Sequence, residues 1–600
     1  MNSSALKLIF NGVGLGLALV LALGLSLSQK GAVEDGLYRH LATGRAIAAQ
    51  GNLPKTDEFS FSQGPDLPFN REGWALSLAA FQIERLGGLK ALALTRAAAL
   101  FLCFAFLVAG GFRRQARPFS SCVFALAALA LVSRGASSPQ APGLALFAAC
   151  LYLMEGPFWA SFFGRWVWLP LLGALWVNLD AGALIVLPLA WIWAFSDKAG
   201  PEEQAPEFPL VSRLSVLGLL SASLFLHPAL WRLPFTGLDW SFSSPFSAEN
   251  FMQSQGMLAM LALAFLLLVA SSWLPGGRRH LGRDAWLFVF LGLGGLVWKA
   301  MLPYAAIWAA PLMAARADSL VDALPGPLKT GRWLLKAGLL GLGVWSLPPL
   351  LAGAARGTAP MPRMQTFGFF KEQLLDGALF TESNFAGRAL WELSPSARVF
   401  AHDGMVPAAR KKAEFEQARV LAAEPAVSDS AGPAAWEKIL QRSQADLALL
   451  RLNSPLAKVM ARSAAWQPVD FDDRSVLYAR VEEGHAALIK TFAPRGLLPG
   501  DLDEPFGDPL FAASRLPQVE ADLESRLVQH PDSGVLCYFE AMLWKQKDKP
   551  VLARQWLEKG VRADPDFAPN YRLLAALRLQ AGDKEAAQAF LERAAALEAQ

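Results

Sequence analysis

The sequence is poor in charge and in cysteine, and each shortage excludes a class of protein. Only 18% of the 600 residues are charged, whereas a soluble globular protein carries about a quarter. The net charge of +4 is too small to indicate a nucleic-acid partner. The spacing of the four cysteines predicts neither disulfides nor a metal knuckle. We expect all four to be small buried hydrophobic side chains: Cys103, Cys122, Cys150 and Cys537.

Several catalytic signatures are missing as well. The sequence has no glycine-rich phosphate loop, no His-Glu-x-x-His motif and no nucleophile elbow. The glycines of "GVGLGLALVLALG" lie within an apolar run, where they permit close helix packing. A nucleotide-sugar site therefore has no support. Inverted repeats and paired broken helices, which are typical of transporters, are not apparent either.

Long hydrophobic runs dominate the first 355 residues. The chain is 54% hydrophobic, with a mean hydropathy of +0.31, and it takes on an ordinary soluble composition after about residue 356. A spanning helix needs about 20 apolar residues. The first run is longer than a signal-peptide core, so we predict that it stays uncleaved. We predict about eleven spans, near 8–28, 89–111, 118–134, 142–158, 166–178, 181–196, 213–227, 257–274, 284–298, 301–315 and 333–354.

The basic residues between these spans predict the orientation. Every basic cluster falls on the side of the N-terminus, which the positive-inside rule places in the cytoplasm. The loops 29–88, 135–141 and 228–256, and the chain after 355, then face outward. In a bacterium this is an inner-membrane protein with a periplasmic C-terminal half. The clusters are "RRQAR" at 113–117, Lys198 with Arg213, "RRHLGR" at 278–283, and Arg316 with Lys329, Arg332 and Lys336.

Beyond the membrane domain, which we place at 1–355, three further regions are predicted. Strands at "RVFAHD", "LALLRL" and "SVLYARV", with helices near 406–422 and 434–442, indicate an α/β domain at 356–492. A linker at 493–516 follows, and it leads to a helical tail at 517–600. The tail repeats every 34 residues, which is typical of tetratricopeptide repeats and of a surface that binds a protein partner. The matching pairs are Pro531 with Pro565, Cys537 with Tyr571, Ala541 with Ala575, and Trp556 with Phe590.

The first outer loop carries the densest set of chemically active side chains. "EDGLYRHLATGRAIAAQGNLPKTDEFSFSQ" runs from Glu34 to Gln63. Apolar residues recur in it at helical spacing, and Gly51 with Pro54 ends the pattern. We predict an amphipathic helix along the membrane surface. Its polar face carries Asp35, Arg39 and His40.

Several motifs, in their order along the chain, resemble those of the GT-C glycosyltransferases, which are multi-span enzymes that use polyprenyl-phosphate-linked sugars. The resemblance covers nearly the whole chain. It rests on an acidic residue after the first span and on "YRHLATG", "PKTDEFSF", "REGW", "RGASSPQAPG", "WVNLDAG" and "HPALWR", then on "NFAGRALWELSPSARVFAHDG", "WEKILQRSQADLALL" and "WQPVDFDDRSVLYAR". Two departures stand out: the acid near "RHL" is displaced, and Asp180 stands where the family has a histidine.

The resemblance implies an inverting transfer of a hexose or pentose, in which the bond between sugar C1 and the phosphate oxygen breaks. Such a reaction needs a carboxylate to activate the acceptor and cations to hold the leaving phosphate. Asp35 is the first candidate for the carboxylate and Glu34 the alternative. Asp57 is a candidate ligand for a divalent cation, Mg²⁺ or Mn²⁺, although Pro-x-x-Asp is also ordinary turn chemistry.

The candidate phosphate ligands lie on the loop helix and at predicted outer span ends. Arg39 and His40 belong to the loop, while Arg134 and Lys299 are cations at outer ends, where they face a cavity or a partner. The remaining candidates, Asn178 and Asp180, lie between two spans with almost no loop, where they either line the same cavity or cap the helices.

Two functions remain open. The first is a glycosyltransferase that moves a sugar from a polyprenyl-phosphate carrier to a periplasmic glycan, lipid or protein. The second is an inactive membrane scaffold of the same architecture that recruits envelope or polysaccharide assembly proteins through its repeat tail. The acidic loop and the outer cations favour the enzyme, whereas the displaced acid and Asp180 favour the scaffold.

Overall fold

The computed structural model divides the chain into two compact units. The helical unit comprises Met1–Lys55 and Asn70–Met361, and the α/β unit comprises Thr56–Phe69 and Pro362–Gln600. The structure describes residues 3–27, 35–135, 140–154, 163–196, 210–228, 248–273, 281–323, 364–422, 434–507 and 509–598.

The helical unit is built from α-helices and short helical turns. Its α-helices are Ser3–Leu27, Asp35–Gln50, Trp74–Arg113, Pro118–Gly135, Ala141–Met154, Leu169–Leu179, Val186–Ser196, Leu210–Leu224, Ala248–Ser272, Leu281–Leu287, Gly294–Val297 and Leu302–Ala323. Short 3₁₀ turns at Ala181–Ile185 and Lys299–Met301, and π-helical turns at Gly164–Trp168 and Phe288–Leu293, interrupt the series.

Helical structure coincides with every predicted span that falls on described residues, and the span at 333–354 lies outside them. By length and composition, two of the described helices could cross a membrane, Trp74–Arg113 and Ser254–Ser272. Several other helices are shorter because local features break them. At Asp180, for example, the backbone is extended (φ −159°, ψ 139°) and ends the helix Leu169–Leu179. The number of spans therefore stays a prediction.

Large apolar side chains point outward along most of these helices. A soluble protein rarely exposes contiguous apolar surface of this kind, so the pattern supports a lipid surrounding. The interior is also apolar, with Phe147, Trp176 and Trp308 almost fully buried. Exposed members of the outer set include Leu94, Leu102, Leu171, Leu175, Trp191, Val211, Leu214, Leu266, Val269, Trp286 and Val289.

The α/β unit contains a five-stranded mixed sheet in the order β2-β1-β3-β5-β4. Its strands are β1 Gly377–Thr381, β2 Ala397–Val399, β3 Leu447–Arg451, β4 Trp466–Phe471 and β5 Ser475–Arg480. Strand β1 runs parallel to β2 and β3, whereas β5 runs antiparallel to β3 and β4. The helices are Gln365–Glu372, Ser383–Leu393, Pro407–Leu421, Ala435–Arg442, Pro455–Ala461 and Ala486–Phe492.

This architecture confirms the α/β character predicted for the region, with two strands added. The three predicted strands correspond to β2, β3 and β5, and both predicted helices form, at Pro407–Leu421 and Ala435–Arg442. Strands β1 and β4 were not predicted. Strand β1 is only five residues long and continuously buried, so it lacks the alternation that marks a half-exposed strand.

Part of the first loop belongs to the α/β unit, which differs from the prediction that all of 29–88 forms part of the membrane domain. Val399 N donates to Phe59 O at 2.8 Å, and Phe61 N donates to Val399 O at 3.2 Å. The segment thus lies beside β2, at the edge of the sheet. An edge strand has unpaired backbone groups, and residues 59–61 satisfy those of β2.

The predicted linker is also part of a packed core. Leu497, Leu502 and Phe506 are buried, and the Tyr538 hydroxyl donates to Leu502 O at 3.0 Å. The first tail helix begins at Pro509 and runs through the predicted start at 517. The predicted linker is packed because "LLPGDLDEPF" has apolar residues between its turns, and these residues pack against the following helices.

The C-terminal helices form two pairs of similar length. The single helix Pro509–Gln529 precedes them. The first pair is Gly534–Gln546 with Pro550–Ala563, and the second pair is Ala568–Gln580 with Lys584–Glu598. Helix starts at 534 and 568, and at 550 and 584, are each 34 residues apart, since 568 − 534 and 584 − 550 both equal 34. This spacing matches the repeat seen in the sequence. The assignment to the tetratricopeptide class stays a prediction.

Candidate functional site

Polar side chains from several helix ends converge within the helical unit. We call this set the polar cluster. Its members are hydrogen-bonded to one another or lie within a few residues of one another in the sequence. The cluster consists of Arg39, His40, Trp74, Ser77, Asn178, Asp180 and Tyr304.

The first part of the cluster joins the loop helix to the start of the helix Trp74–Arg113. His40 is buried, and its Nδ1 lies 2.8 Å from Ser77 Oγ. Its Nε2 lies 2.7 Å from Arg39 Nη2. Both ring nitrogens of His40 are therefore engaged. The Ser77 hydroxyl donates to Gly73 O at 3.0 Å.

Gly73 allows these groups to come close. Its backbone is left-handed (φ 64°), a conformation that glycine adopts without steric cost. A Cβ at this position would lie 3.3 Å from both His40 Cε1 and Leu179 O. The next residue, Trp74, donates from Nε1 to Asn178 Oδ1 at 2.8 Å. The helix Leu169–Leu179 is thereby fixed against the loop and its following helix.

The second part of the cluster surrounds Asp180. Its Oδ1 accepts from Gly182 N at 3.2 Å, and its Oδ2 accepts from the Tyr304 hydroxyl at 3.3 Å. A Cβ on Gly182 would lie 2.2 Å from Tyr304 Oη, and one on Gly143 would lie 2.8 Å from Asp180 Oδ2. Two glycines thus leave the space in which this carboxylate and phenol meet.

Of the predicted site residues, the structure brings Arg39, His40, Asn178 and Asp180 into one cluster. Lys299 begins the 3₁₀ turn Lys299–Met301, directly before the helix that carries Tyr304. Asp35 is the first residue of the helix that carries Arg39 and His40.

Asp57 belongs to the α/β unit, so it is not part of the polar cluster. Arg134 is in the last turn of the helix Pro118–Gly135. The side chains of Asp35 and Arg134, and all of Glu34, fall outside the part of the chain that the structure describes.

Three members of the cluster, Trp74, Ser77 and Tyr304, were not predicted as site residues. Ser77 sits within an apolar helix, where a serine hydroxyl is ordinarily satisfied by its own helix, and Tyr304 is one aromatic residue among the apolar side chains of its helix. The one available signal was "REGW", which places a tryptophan with an indole donor directly after a glycine and an acid.

The ends of the helices on the basic side meet as well. Asp284 is buried and pairs with Arg114 at 3.0 Å and with Arg316 at 2.7 Å. Arg117 N donates to Asp318 Oδ2 at 2.6 Å. All these residues lie at span ends that the sequence places on the cytoplasmic side, whereas the polar cluster joins ends placed on the outer side. The contacts therefore agree with the predicted alternation of the helices.

A second buried polar site lies in the α/β unit, between the loop segment and the turn after β2. Asp57 Oδ2 lies 3.2 Å from His402 Nε2 and accepts from Ser60 Oγ at 2.8 Å. Its Oδ1 accepts from Phe59 N at 2.9 Å. His402 Nδ1 accepts from Gly404 N at 3.1 Å, so the proton of a neutral imidazole is on Nε2 and points at Asp57.

The charge state of Asp57 follows from these contacts. Burial alone would raise the pKa of this carboxyl, but the hydrogen bond from His402, together with bonds from Phe59 N and Ser60, brings the pKa below its ordinary value. Asp57 is therefore ionised at neutral pH.

The donor set at Asp57 does not fit a divalent cation. Both of its oxygens already accept hydrogen bonds, and both nitrogens of His402 are engaged. Among the residues that the structure describes, no group of three or more histidine, cysteine or acidic side chains could hold a metal ion. We therefore assign no chemical step to a metal.

Comparison with known proteins gives only distant matches. No family profile matches the chain, and no curated protein does. The apo structure of ArnT from Cupriavidus metallidurans is 14% identical over 81% of this chain and 99% of that chain, with a TM-score of 0.44. ArnT from the same organism bound to undecaprenyl phosphate is 13% identical over 80% and 99%, with a TM-score of 0.40. Likeness at this level assigns neither a family nor an activity to this chain.

Proposed function

We propose that the protein is a bacterial inner-membrane glycosyltransferase that moves a sugar from a polyprenyl-phosphate carrier to a periplasmic acceptor. The observation that carries the proposal is the polar cluster. It collects a guanidinium, an imidazole, a carboxylate and a phenol at one set of helix ends in a unit whose outer surface is apolar. A lipid-linked phosphate needs both environments, because its chain favours lipid and its headgroup favours cations.

The proposed roles follow from where the residues lie. Asp35, at the start of the loop helix, activates the acceptor hydroxyl as a general base, with Glu34 as the alternative. The hydroxyl oxygen attacks sugar C1 as the bond to the carrier phosphate breaks, which inverts the configuration. Arg39 is on the same helix and Lys299 precedes the Tyr304 helix; these two cations hold the phosphate as it gains charge. Arg134 contributes a third cation to the same phosphate.

The remaining polar groups support this arrangement. Asn178 fixes Trp74, and Asp180 fixes Tyr304, by the hydrogen bonds described above. We propose that they shape the pocket for the sugar and do not take part in the proton transfer.

One observation favours the scaffold alternative for part of the chain. The two C-terminal helix pairs repeat at 34 residues and add no group to the polar cluster, which lies wholly in the helical unit. We propose that this tail binds a protein partner in the cell envelope, whether or not the membrane unit is active.

The test of the enzyme is sugar transfer in membranes by variants matched for expression. Release of decaprenyl phosphate from a panel of decaprenyl-phosphate-linked sugars would report the first half of the reaction. Asp35→Asn keeps the shape of the side chain and removes its charge, so we expect transfer to fall at least about 100-fold, the low end for a general base. Glu34→Gln should cost less.

Asp66→Asn is the matched control, because Asp66 is an exposed acid of the same loop. Full activity in Asp35→Asn and Glu34→Gln alike would end the enzyme proposal and leave the scaffold. Orientation is tested separately: an alkaline phosphatase fused to the C-terminus should be active, and one fused after Arg117 should not. The reverse pattern would place the polar cluster on the wrong side for a periplasmic acceptor.

A further inference from the structure

We infer that His40 is a positioning residue that fixes the guanidinium of Arg39 on the carrier phosphate, and that Ser77 in turn fixes His40. This inference rests on the proposed function and deepens it. It changes the role of His40, which the sequence suggested as a phosphate ligand, and it assigns a role to Ser77, a residue that no motif marked.

A series of hydrogen bonds links Arg39, His40, Ser77 and Gly73, and the direction of each bond can be deduced, beginning at Arg39. A guanidinium has only donors, so His40 Nε2, at 2.7 Å from Arg39 Nη2, must be the acceptor. A neutral imidazole then carries its proton on Nδ1, and this proton points at Ser77 Oγ, 2.8 Å away. The Ser77 hydroxyl must therefore donate elsewhere, and it does so to Gly73 O at 3.0 Å.

The deduced chain leaves His40 without a nitrogen for the phosphate. A neutral His40 can donate only from Nδ1, and Ser77 takes that proton. A direct bond from His40 to a phosphate would break one of the two observed contacts. The group that can meet the phosphate is the guanidinium, whose five donors lie in one plane. Fixing one of them at Nη2 fixes the plane of all five.

Local geometry shows why such a support is needed. Arg39 and His40 are adjacent on one helix, and adjacent side chains point in different directions, so the arginine must fold back to reach the imidazole. A flexible arginine loses rotamer freedom when it binds a ligand. An arginine that is already held by His40 loses less, and a preorganised group binds more tightly for that reason.

A double-mutant cycle tests the inference on the full-length protein in nanodiscs. The probe is decaprenyl phosphate, with decaprenol as the control ligand without a phosphate. Arg39→Ala removes charge-assisted bonds and should raise the Kd for decaprenyl phosphate about 10- to 100-fold. Ser77→Ala should raise it about 3- to 10-fold, the range for one hydrogen bond. Added to Arg39→Ala, it should have no further effect, because it acts through the arginine.

Thr95→Ala is the matched control for Ser77→Ala. Thr95 lies on the same helix, and its hydroxyl donates to Ala91 O at 2.9 Å, four residues earlier, as the Ser77 hydroxyl does to Gly73 O. Ser77, unlike Thr95, also contacts His40. Thr95→Ala should leave the Kd within about twofold of the wild type.

Two substitutions of His40 separate its hydrogen bond with Arg39 from its hydrogen bond with Ser77. Glutamine can place an oxygen near the position of Nε2 and accept from Arg39, whereas asparagine can place its amide near Nδ1 and reach only Ser77. We therefore expect His40→Gln to retain most of the binding and His40→Asn to lose about as much as Ser77→Ala or more. This pair also keeps the test usable if Ser77→Ala unfolds the protein.

The outcomes distinguish the inference from the proposed function. Equal Kd values for decaprenol and decaprenyl phosphate in the wild type would overturn both. A large effect of Arg39→Ala with none from Ser77→Ala would overturn the inference alone. So would equal effects of Ser77→Ala in the presence and absence of Arg39, since a merely structural serine would weaken both backgrounds alike.

Discussion

Asp57 joins the loop segment Thr56–Phe69 to the turn after β2 through His402, and Asp57→Asn is expected to loosen the segment. Asp57 and His402 are each only 3% exposed at the side chain. The carboxylate accepts three hydrogen bonds, from Phe59 N, Ser60 Oγ and His402. Asparagine has the same shape, but its amide nitrogen must face one of these donors. A hydrogen bond to a charged group is worth about 1.5–3 kcal/mol, and this is the loss that we expect.

Global unfolding is a poor measure of this change, because a chain with two compact units does not unfold in one step. Hydrogen exchange measures it locally. The reporter amides are Val399 N and Phe61 N, which pair the segment with β2. A loss of about 3 kcal/mol, the upper end of this range, should speed their exchange about 100-fold, while amides of β3 and β5 exchange as before. Asp66→Asn, on the same segment but exposed, is the control. Unchanged exchange at both reporters in Asp57→Asn would refute the assignment of Asp57 as the group that holds the segment.

Three further predictions concern the same contacts and the helical unit. The folded-state pKa of Asp57 lies below its ordinary value of 3.8, so its contribution to the stability of the loop segment is complete above pH 3.8. That contribution is lost as the pH falls through the folded-state pKa. Hydrogen exchange at Val399, corrected for the intrinsic rate, should therefore rise in this pH range in the wild type and not in Asp57→Asn. Asp284→Asn leaves Arg114 and Arg316 buried without their shared partner. Thermal unfolding in detergent should show that the helical unit is destabilised by about 3–5 kcal/mol. The control is Asp322→Asn, which changes an acid that is 56% exposed and should have little effect. Gly182→Ala places a methyl group against Tyr304 and Asp180 and should lower the stability by about 1–3 kcal/mol. Gly218→Ala, with no atom within 4 Å of the new carbon, should be neutral or slightly stabilising. Equal thermal unfolding midpoints for the two variants would contradict the packing around Asp180.

Hydrophobic runs were enough to locate the helices of the first half, because an apolar run of about 20 residues is typical of a helix that satisfies its own backbone hydrogen bonds in lipid. They were not enough to show where such a stretch breaks. The break at Asp180 depends on a side chain that accepts from Gly182 N and from Tyr304, more than 120 positions along the chain. Long-range contacts of this kind leave no periodic trace in a single sequence.

The site residues divide in the same way. Arg39 and His40 could be predicted because charged groups on an amphipathic helix are conspicuous. Ser77 could not, because a serine in an apolar helix usually bonds its own backbone, as Ser77 does with Gly73 O. Its second contact, with His40, exists only because the left-handed turn at Gly73 brings the start of one helix against the side of another.

The first outer loop shows most clearly what the sequence contained and how it was misassigned. Phe59 and Phe61 alternate with Ser60 and Ser62, and alternation of this kind is typical of a strand. The positions of the spans nevertheless predict one continuous outer loop at 29–88, which the structure divides between the two units. Gly51 and Pro54 end the helix and separate two parts with different partners. Arg39 and His40 then serve the helical unit, whereas Asp57 serves the α/β unit. Of the acids predicted for the transfer chemistry, Asp57 belongs to the α/β unit, which leaves Asp35 and Glu34 as the acids to test.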